Sequence, residues 1–148
     1  MSETSQPRQL VVFTLGAEQY ALPIQQVHEI IRYTEPRSVA SRVSWVRGVI
    51  SLRGRIVPVY DLAARLGVSS ELTEQTKIVI VEAGSETAGV IVDGVEEVLT
   101  VEEDQIEDVP GADTTLIECI AKVEDRLIVL LKPSMIFAVT GSDYAAAA

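Results

Sequence analysis

The chain has a single cysteine, a single histidine, a single tryptophan and two phenylalanines in 148 residues, and between positions 78 and 121 it has no basic residue at all. With only Cys119, an intramolecular disulfide framework is excluded, which fits a reducing compartment. With only His28, and no cysteine or regular carboxylate cluster near it in sequence, a zinc or other transition-metal site lacks ligands. Neither G-x-G-x-x-G nor G-x-x-x-x-G-K-[ST] occurs, so the sequence gives no support for cradling a nucleotide phosphate. No apolar run approaches the roughly 18 residues of a membrane span. The polar start, residues 1–9, has neither a charged n-region nor an apolar h-region. A soluble, cytoplasmic protein without metal, cofactor or catalytic centre is expected.

Apolar residues are plentiful: 47% of the chain, with a mean hydropathy of +0.25, enough for one ordinary core. The net charge of -10 is unevenly placed. Residues 1–77 carry nine Lys and Arg against seven Asp and Glu, whereas residues 78–121 carry twelve acidic residues. Arg32, Arg37, Arg42, Arg47, Arg53 and Arg55 raise the question of nucleic acid. Without aromatic stacking platforms, and with an overall charge that repels phosphate, that partner is not expected. The acidic run Glu96 to Asp108 lacks the alternation and glycine of a calcium loop and reads as a solvated strand edge that discourages sheet-to-sheet pairing.

Short stretches dense in β-branched residues mark strands at 10–15, 46–52, 56–60, 78–81, 89–92, 95–101 and 127–131, so the class is all-β. Several are continuously apolar, which requires cover on both faces, as where two small sheets or barrels pack together. Turn residues at 16–18, 53–54, 83–85 and 124–125 separate apolar runs as hairpin loops do. The chain also repeats itself. Residues 10–31 superpose on 77–99 at an offset of 68, setting Gly16 on Gly84, Val27 on Val95 and Glu29 on Glu97. Residues 50–62 superpose on 121–133 at an offset of 71, setting Arg55 on Arg126. Two similar lobes follow, about 8–70 and 75–133, each a hairpin, a crossing segment and a second hairpin.

Helical signals are brief. Pro23 opens a turn with Ile24, Val27, Ile30 and Ile31 on one side, of which at least one must be core. Asp61 caps 62–66 and Gly67 ends it. Pro133 opens a short C-terminal helix over about 133–139, before a polar tail at 140–148. Cys119, in an apolar stretch, reads as a buried free thiol and His28 as a surface or half-buried polar residue. Arg53-Gly54 stands out because a tight turn favours Asn or Asp before its glycine, and arginine instead projects a planar fork toward a carboxylate. Pro58 interrupts a strand ladder and points to an edge or bulge.

At these residues the sequence resembles the chemotaxis coupling protein family, CheW, and the related regulatory domain of the histidine kinase CheA. LVVFTLGAEQYALPIQQVHEII, GVISLRGRIVPVYDL and GVIVDGVEEVL, in that order between about Leu10 and Val139, carry the resemblance. It implies two SH3-like five-stranded β-barrels and a non-catalytic adaptor between the cytoplasmic hairpin of chemoreceptors and the CheA regulatory domain, recruited to membrane receptor arrays. By position it implies a receptor-facing groove containing Ile24, Val27, Glu29 and Arg53, backbone-permitting glycines at Gly48 and Gly54, and a kinase-facing surface from Tyr33 to Val39. The chain departs from the family's Asn-Leu-Arg-Gly at Ser51 and from its proline-containing approach at residues 40–45, which leaves open a non-flagellar chemosensory pathway. A small-ligand module stays as the other reading and would need polar groups converging on an apolar pocket between the lobes. A free-standing adaptor is expected rather than a piece of a kinase, because 148 residues leave no room for an ATP-binding domain.

Overall fold

A computed structural model describes residues 7–41, 43–109, 111 and 115–137. Its strands are β1 (Arg8–Leu15), β2 (Glu18–Pro23), β3 (Val27–Arg32), β4 (Val46–Leu52), β5 (Arg55–Asp61), β6 (Lys77–Ala83), β7 (Glu86–Val92), β8 (Gly94–Val101), β9 (Ile106–Glu107), β10 (Ile117–Val123) and β11 (Arg126–Leu131). They form a six-stranded sheet, β8-β1-β2-β11-β10-β9, and a five-stranded sheet, β3-β6-β7-β5-β4, the two lobes of an SH3-like fold.

The repeat is real in three dimensions. The hairpin β1-β2 corresponds to β6-β7, β3 to β8, and β4-β5 to β10-β11, with the same neighbours in each sheet. Even the parallel joint recurs, as β11 beside β2 and β5 beside β7. The expected division at 8–70 and 75–133 is corrected, however: each half gives its opening hairpin to one lobe and its remaining strands to the other. The physical reason lies at Ile24–Gln26, a single 3₁₀ turn that carries the chain from β2 directly into β3 of the opposite sheet.

Interleaving explains the continuously apolar runs. In β1, Leu10 and Val12 point into the six-stranded lobe with Val101, Ala121, Ile128 and Leu130, while Phe13 and Leu15 join a central core between the sheets. In β6, Ile78 and Ile80 enter the five-stranded lobe with Ile50, Val57 and Val59, while Val79 and Val81 enter the central core. Alternate side chains of each opening hairpin thus serve two cores. Full burial of one such Leu, Ile or Phe contributes about 1.5–3 kcal/mol, so the hairpins hold the lobes to each other as firmly as they hold each lobe.

The helix α1 (Leu62–Leu66) starts where expected, with the Ala64 amide donating to the Asp61 carboxylate at 3.1 Å, and ends at Gly67 with φ 77°. Two helical expectations are corrected. The crossing segment is extended after its 3₁₀ turn, because β3 is drawn into the ladder with β6. The C-terminal helix shrinks to a 3₁₀ turn at Pro133–Met135, since Pro at the first position suits either helix type; residues 138–148 lie outside the described residues.

Of Gly48 and Gly54, expected to permit special backbone, and Pro58, expected at an edge or bulge, only Gly54 sits in a turn. Gly48 lies inside β4 at a bulge between Val46 and Gly48, with φ 144°. Arg37 and Val49 exchange two backbone hydrogen bonds there, at 2.8 and 2.9 Å, and a Cβ on Gly48 would fall 2.0 Å from the Arg37 carbonyl oxygen. Pro58 lies opposite Val49 in β5, an interior strand, but pairing with β7 begins only at Val59. The strand is therefore a local edge where its proline stands.

Candidate functional site

The β4-β5 hairpin turns through Arg53 at φ 53° and Gly54 at φ 80°. Positive φ at both central residues is the type I′ geometry that matches strand twist and favours Asn-Gly. A long side chain in this left-handed region is unusual, and here it projects from the tip with its side chain 68% exposed. Across the barrel mouth, Glu29 on β3 receives it. The guanidinium donates twice, Nη2 to Oε1 at 2.9 Å and Nη1 to Oε2. This fork-to-carboxylate fit fixes geometry as well as charge. Hydrogen bonding by Arg53 holds the Glu29 carboxyl below its usual range against the opposing effect of desolvation, and the same bonds raise the Arg53 guanidinium.

Around the pair is a small cavity of about 70 Å³ lined by His28, Leu52, Arg55, Val57, Ile80, Glu82 and Thr87 as well as Glu29 and Arg53. His28 occupies the β3 bulge, where Val27 pairs with Val81 and Glu29 already pairs with Ile80. Its Nδ1 is 3.5 Å from Glu82 and its Nε2 is 3.7 Å from Glu29. Arg55 reaches the Thr87 hydroxyl at 3.5 Å. Beside these charged groups in sequence stand two exposed aliphatic residues, Ile30 and Ile56, the latter 70% exposed.

The structure brings together Glu29 and Arg53 among the residues expected at the receptor-facing groove. Ile24, in the 3₁₀ turn, is half-buried and does not line this cavity, and Val27 packs against the central core. Ile31 packs into the five-stranded lobe, so the core share of the apolar quartet falls on Val27 and Ile31. Tyr33 packs against the same lobe, while Val39 is half-buried on the β3-β4 connection. His28, Arg55, Glu82 and Thr87 were not expected at the site. The repeat offered one signal for Arg55, its alignment on Arg126; in the structure Arg126 bonds Glu97 at 2.6 Å and Gln19 at 3.1 Å, and Glu97 and Gln19 are the repeat partners of Glu29 and Thr87.

Elsewhere, Cys119 is buried, and burial followed by the Glu118 charge pushes its thiol up, away from a reactive thiolate. Among the described residues no three His, Cys, Asp or Glu gather as a metal site, and no helix is long and apolar enough to cross a membrane. The space between the sheets is filled by the central apolar core, with Tyr60, Leu62, Val90 and Ile136 among its members.

Residues 9–140 match the family model of the CheW-like domain. A Rhizobium etli protein named "Probable chemotaxis protein CheW" is 30% identical over 143 residues, spanning 93% of this chain and 92% of its own. The Bacillus subtilis "Chemotaxis protein CheW" is 33% identical over 81 residues, and there the match spans about half of each, 54% of this chain and 52% of the relative. The crystal structure of the scaffolding protein TtCheW from Thermoanaerobacter tengcongensis superposes with a TM-score of 0.85 at 36% identity, covering 94% of this chain and 98% of that one. With its interleaved two-sheet fold, its Arg53-Gly54 hairpin and its family match running nearly end to end, the chain belongs to the CheW-like domain family.

Proposed function

We propose that this protein is a non-catalytic adaptor that couples chemoreceptors to the histidine kinase CheA in a chemosensory array, working in the cytoplasm and recruited to membrane-bound receptors. The observation that carries the reading is the exposed Arg53 fork, raised on a strained turn and held by Glu29, with the exposed Ile30 and Ile56 each next in sequence to residues of the same cavity. Such a surface suits an amphipathic helix of a receptor hairpin. Apolar side chains lie on the isoleucines, and a carboxylate of the partner meets Arg53 and sets the register. Ile24 and the exposed part of Val27, whose remainder packs on the central core, extend the groove along the crossing segment, and Tyr33 to Val39 form the kinase-facing side. The names of the relatives, chemotaxis and scaffolding proteins, support this role. A small ligand is disfavoured by the packed core where an interlobe pocket would have to be.

The test is capture of the purified protein by two baits, a receptor cytoplasmic hairpin and the CheA regulatory domain, at low and moderate salt. Binding to both establishes the bridge. Binding to neither overturns the adaptor reading while leaving the fold intact.

A further inference from the structure

The ion pair at the barrel mouth is not isolated, because two further ionisable side chains share its cavity. His28 faces Glu29 on its own strand β3 and Glu82 on β6, while Arg53 and Arg55 face the same space from the β4-β5 hairpin and β7 offers only the Thr87 hydroxyl. Arg32 follows on the outward face of β3. With a neutral imidazole, two carboxylates balance two guanidiniums. With an imidazolium the cavity holds a third cation and a net positive charge.

The geometry also says which bond must give. His28 Nε2 lies 3.7 Å from Glu29 Oε2, the oxygen that also accepts from Arg53 Nη1. Nδ1 lies 3.5 Å from Glu82, so the ring stands between two carboxylates, near enough to attract both when doubly protonated but hydrogen-bonded to neither as it stands. Of the cations competing for Glu29, Arg53 is the one at a turn tip in solvent, with the freedom to swing outward. We propose that His28 and Glu82 make the Arg53–Glu29 pair proton-sensitive. Protonation of His28 draws Glu29 toward the imidazolium and frees Arg53 for a partner carboxylate, so the receptor complex tightens on acidification. The inference rests on the receptor-binding role proposed above. Histidine is the side chain whose charge ordinarily changes between pH 5 and 8, and by linkage a complex that tightens on protonation takes up a proton as it forms.

Two measurements on the full chain test the proposal. The first needs no partner: the Arg53 Nε–H resonance is followed by NMR from pH 8 to 5.5 in the wild type and in His28→Gln, a substitution at an exposed side chain that leaves the fold undisturbed. The expected result is a single transition in the wild type that is absent in the variant. The second is calorimetric binding of a receptor hairpin at pH 5.8 and 7.8, with affinity rising about fivefold at the lower pH in the wild type and by less than twofold in His28→Gln. An unresponsive Arg53 resonance, or the same pH response in both proteins, overturns the proposal. A His28-dependent Arg53 transition without hairpin binding at either pH keeps the proton-sensitive pair and overturns the receptor assignment.

Discussion

The two lobes share one strand plan but use the same positions for opposite ends. In the five-stranded lobe, Glu29 pairs with Arg53 at the tip of the turn, and the guanidinium side chain is 68% exposed. In the six-stranded lobe the equivalent glutamate, Glu97, pairs instead with Arg126, two residues further down its hairpin and only 31% exposed. The repeat partner of Arg53 is Glu124, which also has positive φ, 57°. One lobe thus lifts a cation into solvent, and the other lays its arginine across Glu97 and Gln19 as internal cross-bracing. The contrast teaches that the backbone holds the turn tip in either lobe, and side-chain choice alone decides whether the ion pair faces a partner or the barrel wall.

Equivalent positions differ inside the lobes as well. Gly48 in β4 corresponds to Cys119 in β10, each beside a bulge, yet Gly48 lies against the Arg37 carbonyl whereas Cys119 carries a side chain packed in the core of the six-stranded lobe. Gly48→Ala should therefore break the Arg37–Val49 bridge and cost more than about 4 kcal/mol, whereas Cys119→Ala, which leaves a small gap, should cost about 1 kcal/mol. Urea denaturation of both variants measures the difference, and similar costs would erase this part of the contrast. Gly89 in β7 corresponds to Ala21 in β2. A Cβ at Gly89 would sit 2.7 Å from Ile78 Cγ2, so Gly89→Ala should cost about 1–3 kcal/mol through overpacking, even though its counterpart already carries that methyl.

Charge reversals sharpen the comparison at the two ion pairs. Arg53→Glu should leave the melting temperature nearly unchanged and lower hairpin affinity tenfold or more, an energy of about 1.4 kcal/mol. Arg126→Glu should do the converse, destabilising by about 1 kcal/mol while hairpin binding holds. Equal binding losses in both would mean that the lobes do not divide the labour. The smallest effect concerns acid. Because the Glu29 pKa is depressed in the fold, chiefly by Arg53 and also by His28, the pairing of its carboxylate with whichever cation holds it contributes fully above the unfolded carboxylate value and is lost as pH falls through the lower, folded one. Thermal melts between pH 5 and 3 should therefore fall slightly more steeply in the wild type than in Glu29→Gln.

Much of the fold was legible because β structure writes itself locally. The hairpin turns at 16–18, 53–54, 83–85 and 124–125, the Asp61 cap and the repeat all follow from short-range chemistry and reappear in the structure. The exchange of hairpins between lobes was not legible. A repeat states which segments are equivalent, and an exchanged and an unexchanged arrangement satisfy the same alternation and the same turns. Only the double-faced apolar runs of β1 and β6 hinted at it. At the site, Glu29 and Arg53 came from the family resemblance and the odd arginine in the turn. His28 and Glu82 escaped because the β3 bulge, which aims the imidazole at the cavity, has no mark in the residues 27–29 themselves.

The interleaving has a consequence for how the molecule can come apart. A chain severed in the connection between α1 and β6 would leave neither piece with a complete sheet, since each holds only one hairpin of one lobe and three principal strands of the other. Neither lobe can unravel while its neighbour stays whole, and the two pieces can only rebuild the protein by wrapping around each other like the halves of a clasp.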